Sequence, residues 1–418
     1  MRIISWFTTV ALSLALAACS SEHMSGMGEA GSYSDTPSMS EDGGDSAGDD
    51  SQQTQGPAAG QLTAGSWDDN QNYERYLAYR DTAAVQGYDA LPFAGRKVIT
   101  VTDSTGQPVG DASVRIMGSD EQIILEAKTV SDGRILFFTE ESDQDFTVTA
   151  TRDGANQTEQ VTSADDTWAI TLGSEMAKNV DTLDIALVID TTGSMGDELD
   201  YIQSELDWVL SEVAQSHPTT DVRVGLVLYR DQGDAYVTQT VDFTSDSDAF
   251  LAALAEGSAG GGGDYPEAMG EAMHAAMELN WSERATRLLF LIADAPPQKR
   301  RNASVASSAR KAQEMGVRIY PIAASGVANT AEWVMRQAAQ FTLGHYLFLT
   351  DHSGIGLPHE EPTIPCYHVE YLNELMVRVI DNNMQGSWVD ADSDAVITSI
   401  GYDDDGQCVG KQPVEPTP

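Results

Sequence analysis

The sequence is poor in basic residues and in cysteine, and its long apolar run is confined to the first twenty positions. Lys and Arg number 23 against 65 Asp and Glu, so the 418 residues carry a net charge of −42. Such an excess of negative charge repels phosphate backbones, and we expect no nucleic-acid partner. The same charge favours cations and basic partners. Because 41% of the residues are hydrophobic, the chain can still bury a sizeable core.

Several signatures of phosphate binding and catalysis are also absent. No GxxxxGK[ST] or GxGxxG follows a predicted strand, so no turn is suited to cradle a phosphate. No HExxH occurs, and four histidines near the C-terminal end lack zinc-ligand spacing. We interpret these as solvated loop residues: His345, His352, His359 and His368. Since no nucleophile and base occur together, we expect no enzymatic activity.

The first 18 residues have the features of an export signal. Arg2 precedes an apolar stretch from Ile3 to Ala18, which is short for a spanning helix. The stretch closes with Leu16-Ala17-Ala18-Cys19, which resembles the bacterial lipobox. The resemblance implies that Cys19 is lipidated and anchors the chain to a membrane. A plain signal peptide with a chance cysteine is the alternative.

A lipid anchor implies a location in the cell envelope. Ser20 follows the cysteine, where Asp would resemble an inner-membrane retention signal, so we expect the outer membrane, with the protein facing the periplasm or the cell surface. Apart from Cys19, the chain contains Cys366 and Cys408. An even pair in an exported chain predicts a disulfide, and two unpaired thiols are the alternative.

The next segments are defined by composition. Residues 19–65 contain one aromatic residue and neither Lys nor Arg, which predicts a disordered acidic linker. Residues 66–93 form a transition segment with a short helix, because Tyr73, Tyr76 and Arg80 lie at helical spacing.

Residues 94–173 predict a small antiparallel β-sandwich. Short runs alternate apolar and polar residues and are separated by turn signals such as Asp132-Gly133. The stretches Val101 to Ala112 and Thr129 to Phe137 resemble a carboxypeptidase regulatory-like domain. The resemblance implies a spacer or binding module without catalysis.

From Asp181 the pattern changes to buried strands that alternate with amphipathic helices. Leu183 to Ile189 is a continuous apolar run with one charge, and Leu199 to Val213 follows helical spacing. Continued to about residue 386, this alternation predicts an α/β fold with a doubly wound, mostly parallel, Rossmann-like sheet. We assign residues 180–386 to this domain and 387–418 to a C-terminal tail.

Oxygen-bearing side chains follow two strands of the predicted sheet. Asp190, Thr192 and Ser194 come after the first strand at a spacing of two, so one turn can direct all three towards one point. Asp294 ends the central strand, whose carboxyl end lies beside the first. Carboxylates and hydroxyls are hard donors, which suit Mg²⁺ first, with Ca²⁺ and Mn²⁺ as alternatives.

The motif Asp190-Thr191-Thr192-Gly193-Ser194 resembles the metal-ion-dependent adhesion site of von Willebrand factor type A (vWFA) domains. The family's second element is a Thr in a Gly-rich loop, and Asp264 stands there in this chain. The third element is an Asp that ends a strand, which matches Asp294. The resemblance is to the branch with hemicentin-like and alpha-kinase-associated domains. It implies a divalent metal held by Asp190, Thr192, Ser194, Asp264 and Asp294; an Asp264 side chain that points away from the site is the alternative.

The expected function is that of a membrane-anchored, non-enzymatic module for binding, adhesion or assembly, with another protein as partner. A structural alternative is an envelope scaffold in which the metal only stabilises the fold. A third hypothesis is a metal-dependent hydrolase that uses Asp231 or Glu267 as a base.

Overall fold

The computed structural model describes residues 57–82, 88, 90–176, 181–263, 265–299 and 302–410. The predicted export signal, Cys19 and most of the predicted linker lie outside these residues. Among the helices described, none combines the length and the apolar character needed to cross a bilayer.

A nine-stranded sheet forms the centre of the larger domain. Its strands are β1 (Thr63–Trp67), β9 (Thr182–Asp190), β10 (Asp221–Tyr229), β11 (Thr238–Thr244), β12 (Thr286–Ala293), β13 (Val317–Ala323), β14 (Tyr346–Leu349), β15 (Tyr367–Tyr371) and β16 (Thr398–Ile400). The spatial order is β11-β10-β9-β12-β13-β14-β1-β15-β16. Strands β10, β9, β12, β13 and β14 are parallel to one another, as their continuous apolar sequences predict.

Helices cover both faces of this sheet, so the predicted doubly wound α/β fold is confirmed. They are α1 (Tyr73–Thr82), α2 (Leu199–Ser216), α3 (Ser247–Ala255), α4 (Met269–Met277), α5 (Asn302–Met315), α6 (Asn329–Phe341) and α7 (Leu372–Gln385). Helices α2, α3 and α7 share one apolar core with the sheet. Helices α1, α4, α5 and α6 share the other, because alternate strand residues face opposite sides.

The part of the chain that connects α1 to β9 forms two smaller sheets, which pack against each other. Their strands are β2 (Arg96–Thr102), β3 (Ser113–Met117), β4 (Ile123–Lys128), β5 (Arg134–Phe138), β6 (Asp145–Arg152), β7 (Ala155–Thr162) and β8 (Thr167–Thr171). One sheet has the order β5-β2-β8 and the other β4-β3-β6-β7. Both contribute to one apolar core. The prediction of a wholly antiparallel sandwich was wrong at one pair, since β2 and β8 run parallel.

The nine-stranded sheet includes segments that we did not predict as strands. Strand β1 crosses the predicted linker boundary at residue 65 and lies between β14 and β15, antiparallel to both. Strand β16 adds a short edge from the predicted C-terminal tail. A disulfide joins Cys366, next to β15, to Cys408 beyond β16. The larger domain therefore includes residues that precede and residues that follow the segment predicted to form it, 180–386.

Buried ion pairs join the two domains and fix the segment around β1. Arg287 Nη1 of β12 lies 2.8 Å from Asp111 Oδ1 of the smaller domain. In the N-terminal segment, Arg336 Nη2 of α6 lies 2.7 Å from Asp69 Oδ1, with both side chains 2% exposed. Because an unpaired buried charge is costly, these pairs hold the packing of separate segments in one arrangement.

Candidate metal centre

The carboxyl ends of β9 and β12 bring the predicted site residues together. The two strands are parallel neighbours, with Ile189 opposite Ile292. Asp190 ends β9, and Asp294 follows the last residue of β12. Because parallel neighbours end at the same edge of a sheet, both carboxylates reach this edge.

A short series of contacts connects four of the five predicted ligands. Asp190 Oδ1 accepts hydrogen bonds from Thr192 N at 2.9 Å and Thr192 Oγ1 at 2.7 Å. Thr192 Oγ1 lies 3.2 Å from Ser194 Oγ, and Ser194 is hydrogen-bonded to Asp294. These contacts follow from a 3₁₀ turn over Gly193–Asp197, which starts immediately after Thr192. The spacing of two therefore links the oxygens of the three motif side chains in one series of contacts.

The two carboxylates are buried and only partly satisfied. Asp190 is 0% exposed and Asp294 4% exposed. Asp190 Oδ2 and Asp294 Oδ1 have no well-aligned hydrogen bond among the residues that the structure describes, although the Tyr229 phenol contacts Asp190 and lowers its pKa. Burial and then the charge of Asp294 raise the pKa of Asp190 to about 7. Burial also raises the pKa of Asp294, against the hydrogen bond with Ser194, which lowers it. The site thus holds negative charge that the described chain leaves uncompensated.

Glu267 is a third buried acid beside the site, which the sequence prediction did not include among the ligands. Its side chain is buried, and Oε2 accepts no hydrogen bond from the described residues. Burial, followed by the charges of Asp190 and Asp231, raises the pKa of Glu267 to about 9. At neutral pH Glu267 therefore holds a proton. The sequence signal was its position after the Gly-rich loop, which we read only as a possible base.

The Gly-rich loop lies against the metal motif. Gly261 O accepts a hydrogen bond from Gly193 N at 3.2 Å, and Gly260 N donates to Thr191 O at 3.0 Å. Gly261 and Gly262 have φ values of 75° and 70°, which disfavour other residues. A Cβ at Gly262 would also come within 2.9 Å of a Glu267 carboxylate oxygen.

Asp264, the fifth predicted ligand, lies outside the described residues. Its neighbour Tyr265 is 46% exposed, and the phenol oxygen accepts a hydrogen bond from Ala328 N at 2.9 Å. A cavity of about 270 Å³ opens between Tyr265, the Gly-rich loop, Thr192 and Ser194. The site is therefore accessible from solvent on the side of Ser194, whereas the two carboxylates lie beneath.

The residues described do not provide a cluster of three or more His, Cys, Asp or Glu side chains arranged to hold a metal ion. The candidate site differs in kind, because its donors are two carboxylates and two hydroxyls. Asp231, suggested above as a base, accepts hydrogen bonds from Gln298 Nε2 on both carboxylate oxygens, at 3.0 and 3.1 Å.

The prediction that the C-terminal histidines are solvated was wrong for two of them. His345 is 8% exposed and stacks on Trp388 with ring centroids 3.7 Å apart. The side chain of His359 is 5% exposed and lies between two carboxylates. The Gly- and Pro-broken sequence correctly suggested a loop, but it gave no sign that the loop packs inwards. His352 and His368 are exposed.

Comparison with known proteins identifies the domain that carries this edge. A family model described as von Willebrand factor A domain matches residues 184–355. This part of the chain is a von Willebrand factor A domain. The A domain thus includes Asp190, Thr192, Ser194 and Asp294, whereas β1, α7 and the disulfide lie outside the matched residues.

Two curated proteins resemble the chain over shorter stretches. The alpha-protein kinase vwkA of Dictyostelium discoideum is 30% identical over 115 residues, which are 27% of this chain and 18% of the kinase. A putative ariadne-like RING finger protein of Acanthamoeba polyphaga mimivirus is 32% identical over 123 residues, 29% of this chain and 12% of that protein. The chain therefore spans less than a fifth of either relative.

Two solved structures resemble the fold. The conserved hypothetical protein BatB from Bacteroides thetaiotaomicron has 14% identity and a TM-score of 0.36, covering 48% of this chain and 98% of that one. The pilus adhesin SpaC from Lactobacillus rhamnosus GG has 13% identity and a TM-score of 0.32, covering 57% and 32%. A likeness of this degree carries no functional argument.

The residues of the A-domain site fit a hard divalent cation. Asp190 Oδ2 and Asp294 Oδ1 are buried acceptors without a well-aligned hydrogen bond from the described residues, and hydroxyl oxygens lie beside them. Oxygen donors of this kind suit Mg²⁺, Ca²⁺ or Mn²⁺. A cation would also remove the cost of two neighbouring buried carboxylates.

Proposed function

We propose that the A domain is a non-enzymatic binding module that holds a divalent cation at its exposed edge and uses it to bind another protein. The observation that carries the proposal is the pair of buried carboxylates, in which Asp190 Oδ2 and Asp294 Oδ1 receive no well-aligned hydrogen bond from the described residues. The phenol of Tyr229 is the donor nearest to Asp190, and it carries no charge that could balance the two acids. Buried polar atoms in native proteins are almost always paired, so such a pair of acceptors favours an external cation.

Each residue of the site has a distinct part in this proposal. The carboxylates of Asp190 and Asp294 supply negative charge, and the hydroxyls of Thr192 and Ser194 supply neutral oxygens. When bound, the cation supplies positive charge that can accept a carboxylate of a partner. Glu267 lies beside these carboxylates, and in the metal-free site burial and their charges raise its pKa to about 9. A bound cation would lower that pKa again, because it neutralises the same charges.

Asp264 bears on how strongly an acidic partner can be held. If its carboxylate joins the site, the added negative charge favours the ion itself over capture of an acidic ligand. In that case removal of Asp264 should weaken cation binding, though less than removal of Asp190, which belongs to the metal motif. The variant Asp264→Thr should bind the partner more tightly than the wild type, because it restores a neutral oxygen donor.

A thermal-shift experiment tests the cation. Chelator-stripped protein is heated with Mg²⁺, Ca²⁺ or Mn²⁺, and at least one ion should raise the unfolding temperature. Asp190→Ala should abolish the shift, whereas Asp200→Ala, which removes an exposed acid six residues from Ser194, should keep it. The absence of a shift with all three ions would remove the cation from the proposal.

A second experiment separates binding from a purely structural role. We propose that Cys19 anchors the chain in the cell envelope, where proximity labelling from the C-terminus would identify neighbouring proteins. A partner held by the cation should be lost on chelation and in Thr192→Ala. A partner that survives both treatments would favour the envelope scaffold in which the metal only stabilises the fold.

A further inference from the structure

The segment that connects β14 to β15 passes over the edge of the sheet next to the metal motif. After a 3₁₀ turn at Asp351–Ser353, residues 354–365 form an irregular loop, here called the 354–365 loop. Leu357 N in this loop donates to Asp197 Oδ2 at 2.5 Å. Asp197 ends the 3₁₀ turn that contains Ser194, so the loop contacts the chain just beyond the motif.

His359 is the buried centre of this contact. Its Nε2 lies 2.8 Å from Glu198 Oε1, and its Nδ1 lies 2.8 Å from Asp351 Oδ1. A neutral imidazole carries one N–H and must leave its other nitrogen as a lone pair facing a carboxylate. Both contacts are favourable only when the ring carries two protons. The geometry therefore describes an imidazolium between two carboxylates.

Glu198 depends on this imidazolium for its charge balance. Its side chain is 0% exposed, and Oε2 accepts a hydrogen bond from Ser325 N at 3.2 Å. The contact between His359 Nε2 and Glu198 Oε1 is an ion pair of bent geometry, since neither atom has a well-aligned hydrogen bond. Loss of the ring's second proton would leave a buried carboxylate without its positive partner, which is costly.

Close approach of the loop to Glu198 requires a glycine. Gly356 has a φ of 86°, and a Cβ at this position would overlap the carboxylate of Glu198. The rest of the loop is held by α6, where Thr363 N donates to Glu332 Oε1 at 3.0 Å. Residues 354–361 thus depend on His359 and Asp197, whereas the end of the loop has its own attachment.

The charged surroundings of His359 are mostly acidic. The titratable groups that face it or its loop, by element, are Glu198 and Asp197 before α2, Asp351 in the 3₁₀ turn, Glu360 and Glu361 in the loop, Glu332 with its partner Arg336 on α6, and Tyr346 on β14. Burial lowers the pKa of His359, but the contacts with Glu198 and Asp351 outweigh it and raise the pKa above 6.5.

We propose that His359 is a proton-dependent latch that fastens the 354–365 loop against the chain beyond the metal motif. When the ring carries both protons, the loop is closed against Asp197 and Glu198, which follow the metal motif. When the ring loses a proton, Glu198 has no positive partner and the loop opens. The exposed Leu357 moves with the loop, so the surface offered beside the metal site changes with pH. The latch does not require a bound cation.

The sign of the effect follows from the raised pKa. In the unfolded or open chain the imidazole titrates near 6.5, and in the closed chain at a higher pH. Stabilisation of the closed loop is therefore complete below about pH 6.5 and is lost as the pH rises through the folded-state pKa.

Hydrogen exchange of the full chain tests the latch. Amide exchange in residues 354–361 is measured from pH 6 to pH 9 with chelator present, corrected for intrinsic rates and referred to the turn Asp403–Gln407. Protection in the wild type should fall at least tenfold across this range. His359→Gln should abolish protection at every pH, and His352→Gln, which alters an exposed neighbour, should behave as the wild type.

Constant protection in the wild type, or a transition that survives in His359→Gln, would overturn the latch. A transition that is seen only in a parallel measurement without chelator would also overturn it, because the titration would then belong to the metal site. If His359→Gln does not fold, the ring of His359 is titrated by NMR in the wild type. A doubly protonated ring at pH 6 with a pKa above 6.5 supports the proposal, and a neutral ring at pH 6 overturns it.

Discussion

Glu198 and Glu205 lie seven positions apart at the start of α2, two helical turns, and both are 0% exposed. Each carboxylate is satisfied by a segment outside the helix. Glu198 pairs with His359, and Glu205 accepts the backbone N–H groups of Gly60, Gln61 and Leu62 at 2.7–3.0 Å. One face of α2 therefore fastens two segments that the sequence places far from it.

Removal of the Glu205 carboxylate should destabilise the fold strongly. Glu205→Ala would leave three N–H groups without an acceptor where the chain enters β1, and we expect a loss of about 3 kcal/mol in the free energy of unfolding. Urea denaturation measures the loss. Asp207→Ala, which removes an exposed acid from the same helix, should change the stability by less than about 0.5 kcal/mol. Equal midpoints for the two variants would contradict the prediction.

Without a cation, Asp190 should reduce stability as the pH rises. Its folded-state pKa of about 7 lies above the ordinary 3.8, so the stability that its bound proton contributes is complete below pH 3.8 and is lost as the pH rises to about 7. Asp190→Asn has nearly the shape of the protonated acid and stays uncharged at every pH in this range. With chelator present, the free energy of unfolding of the variant minus that of the wild type should therefore rise by at most about 1.4 kcal/mol per pH unit over this interval. Thermal unfolding at pH 4, 5.5, 7 and 8 gives the difference.

A divalent cation should act most strongly on the alkaline side of this range. Binding requires ionised carboxylates, so protons compete with the metal below the pKa of Asp190. The rise in unfolding temperature on adding Mg²⁺ should be several-fold larger at pH 8 than at pH 5. A shift of the same size at both pH values would show that Asp190 does not exchange its proton for the ion.

The salt bridge between Asp111 and Arg287 should couple the two domains. Both side chains are buried, and Asp111 has a φ of 55°, which Asn tolerates. Asp111→Asn should cost about 3 kcal/mol, because it leaves a buried guanidinium without its charge partner. The exposed Asp165→Asn is the control. In a double-mutant cycle with Arg287→Met, the combined loss should be smaller than the sum of the single losses; additive losses would disprove the coupling.

The residues matched by the A-domain family model should not form a stable unit without β1. A fragment of residues 181–410 contains the matched residues but lacks β1, so β14 and β15 lose the strand that joins them. We expect this fragment to unfold without a cooperative transition, in contrast to residues 57–410. Circular dichroism during heating compares the two. A sharp transition in the shorter fragment would show that β1 is dispensable.

The parts of the fold that sequence predicts are those with a local signal. Strand β9 is a continuous apolar run, and the spacing of Asp190, Thr192 and Ser194 suffices to place them on one turn. Strand β1 carries no such signal, because Thr-Ala-Gly-Ser-Trp has small residues and its burial comes entirely from its neighbours.

Charge pairs across the chain are similarly beyond local prediction. The loop that carries His359 contacts residues just before α2 that are distant in sequence. Leu357, which donates to Asp197, is 160 positions away from it. Nothing near His359 in the sequence distinguishes it from the exposed His352. Glu267 follows the same principle, since its raised pKa depends on Asp190 and Asp231, which the fold brings to it.

The position of β1 also fixes when the domain can be completed during synthesis. Thr63 and Thr350 are in contact with their hydroxyl oxygens 2.8 Å apart, although 287 residues separate them. At ordinary ribosomal rates β1 would wait roughly 15–60 s for β14 and β15. During this time β1 has neither of its strand partners, and its unpaired edges are a template for wrong pairing with other chains. The sheet can therefore close around β1 only after residue 371 has been made.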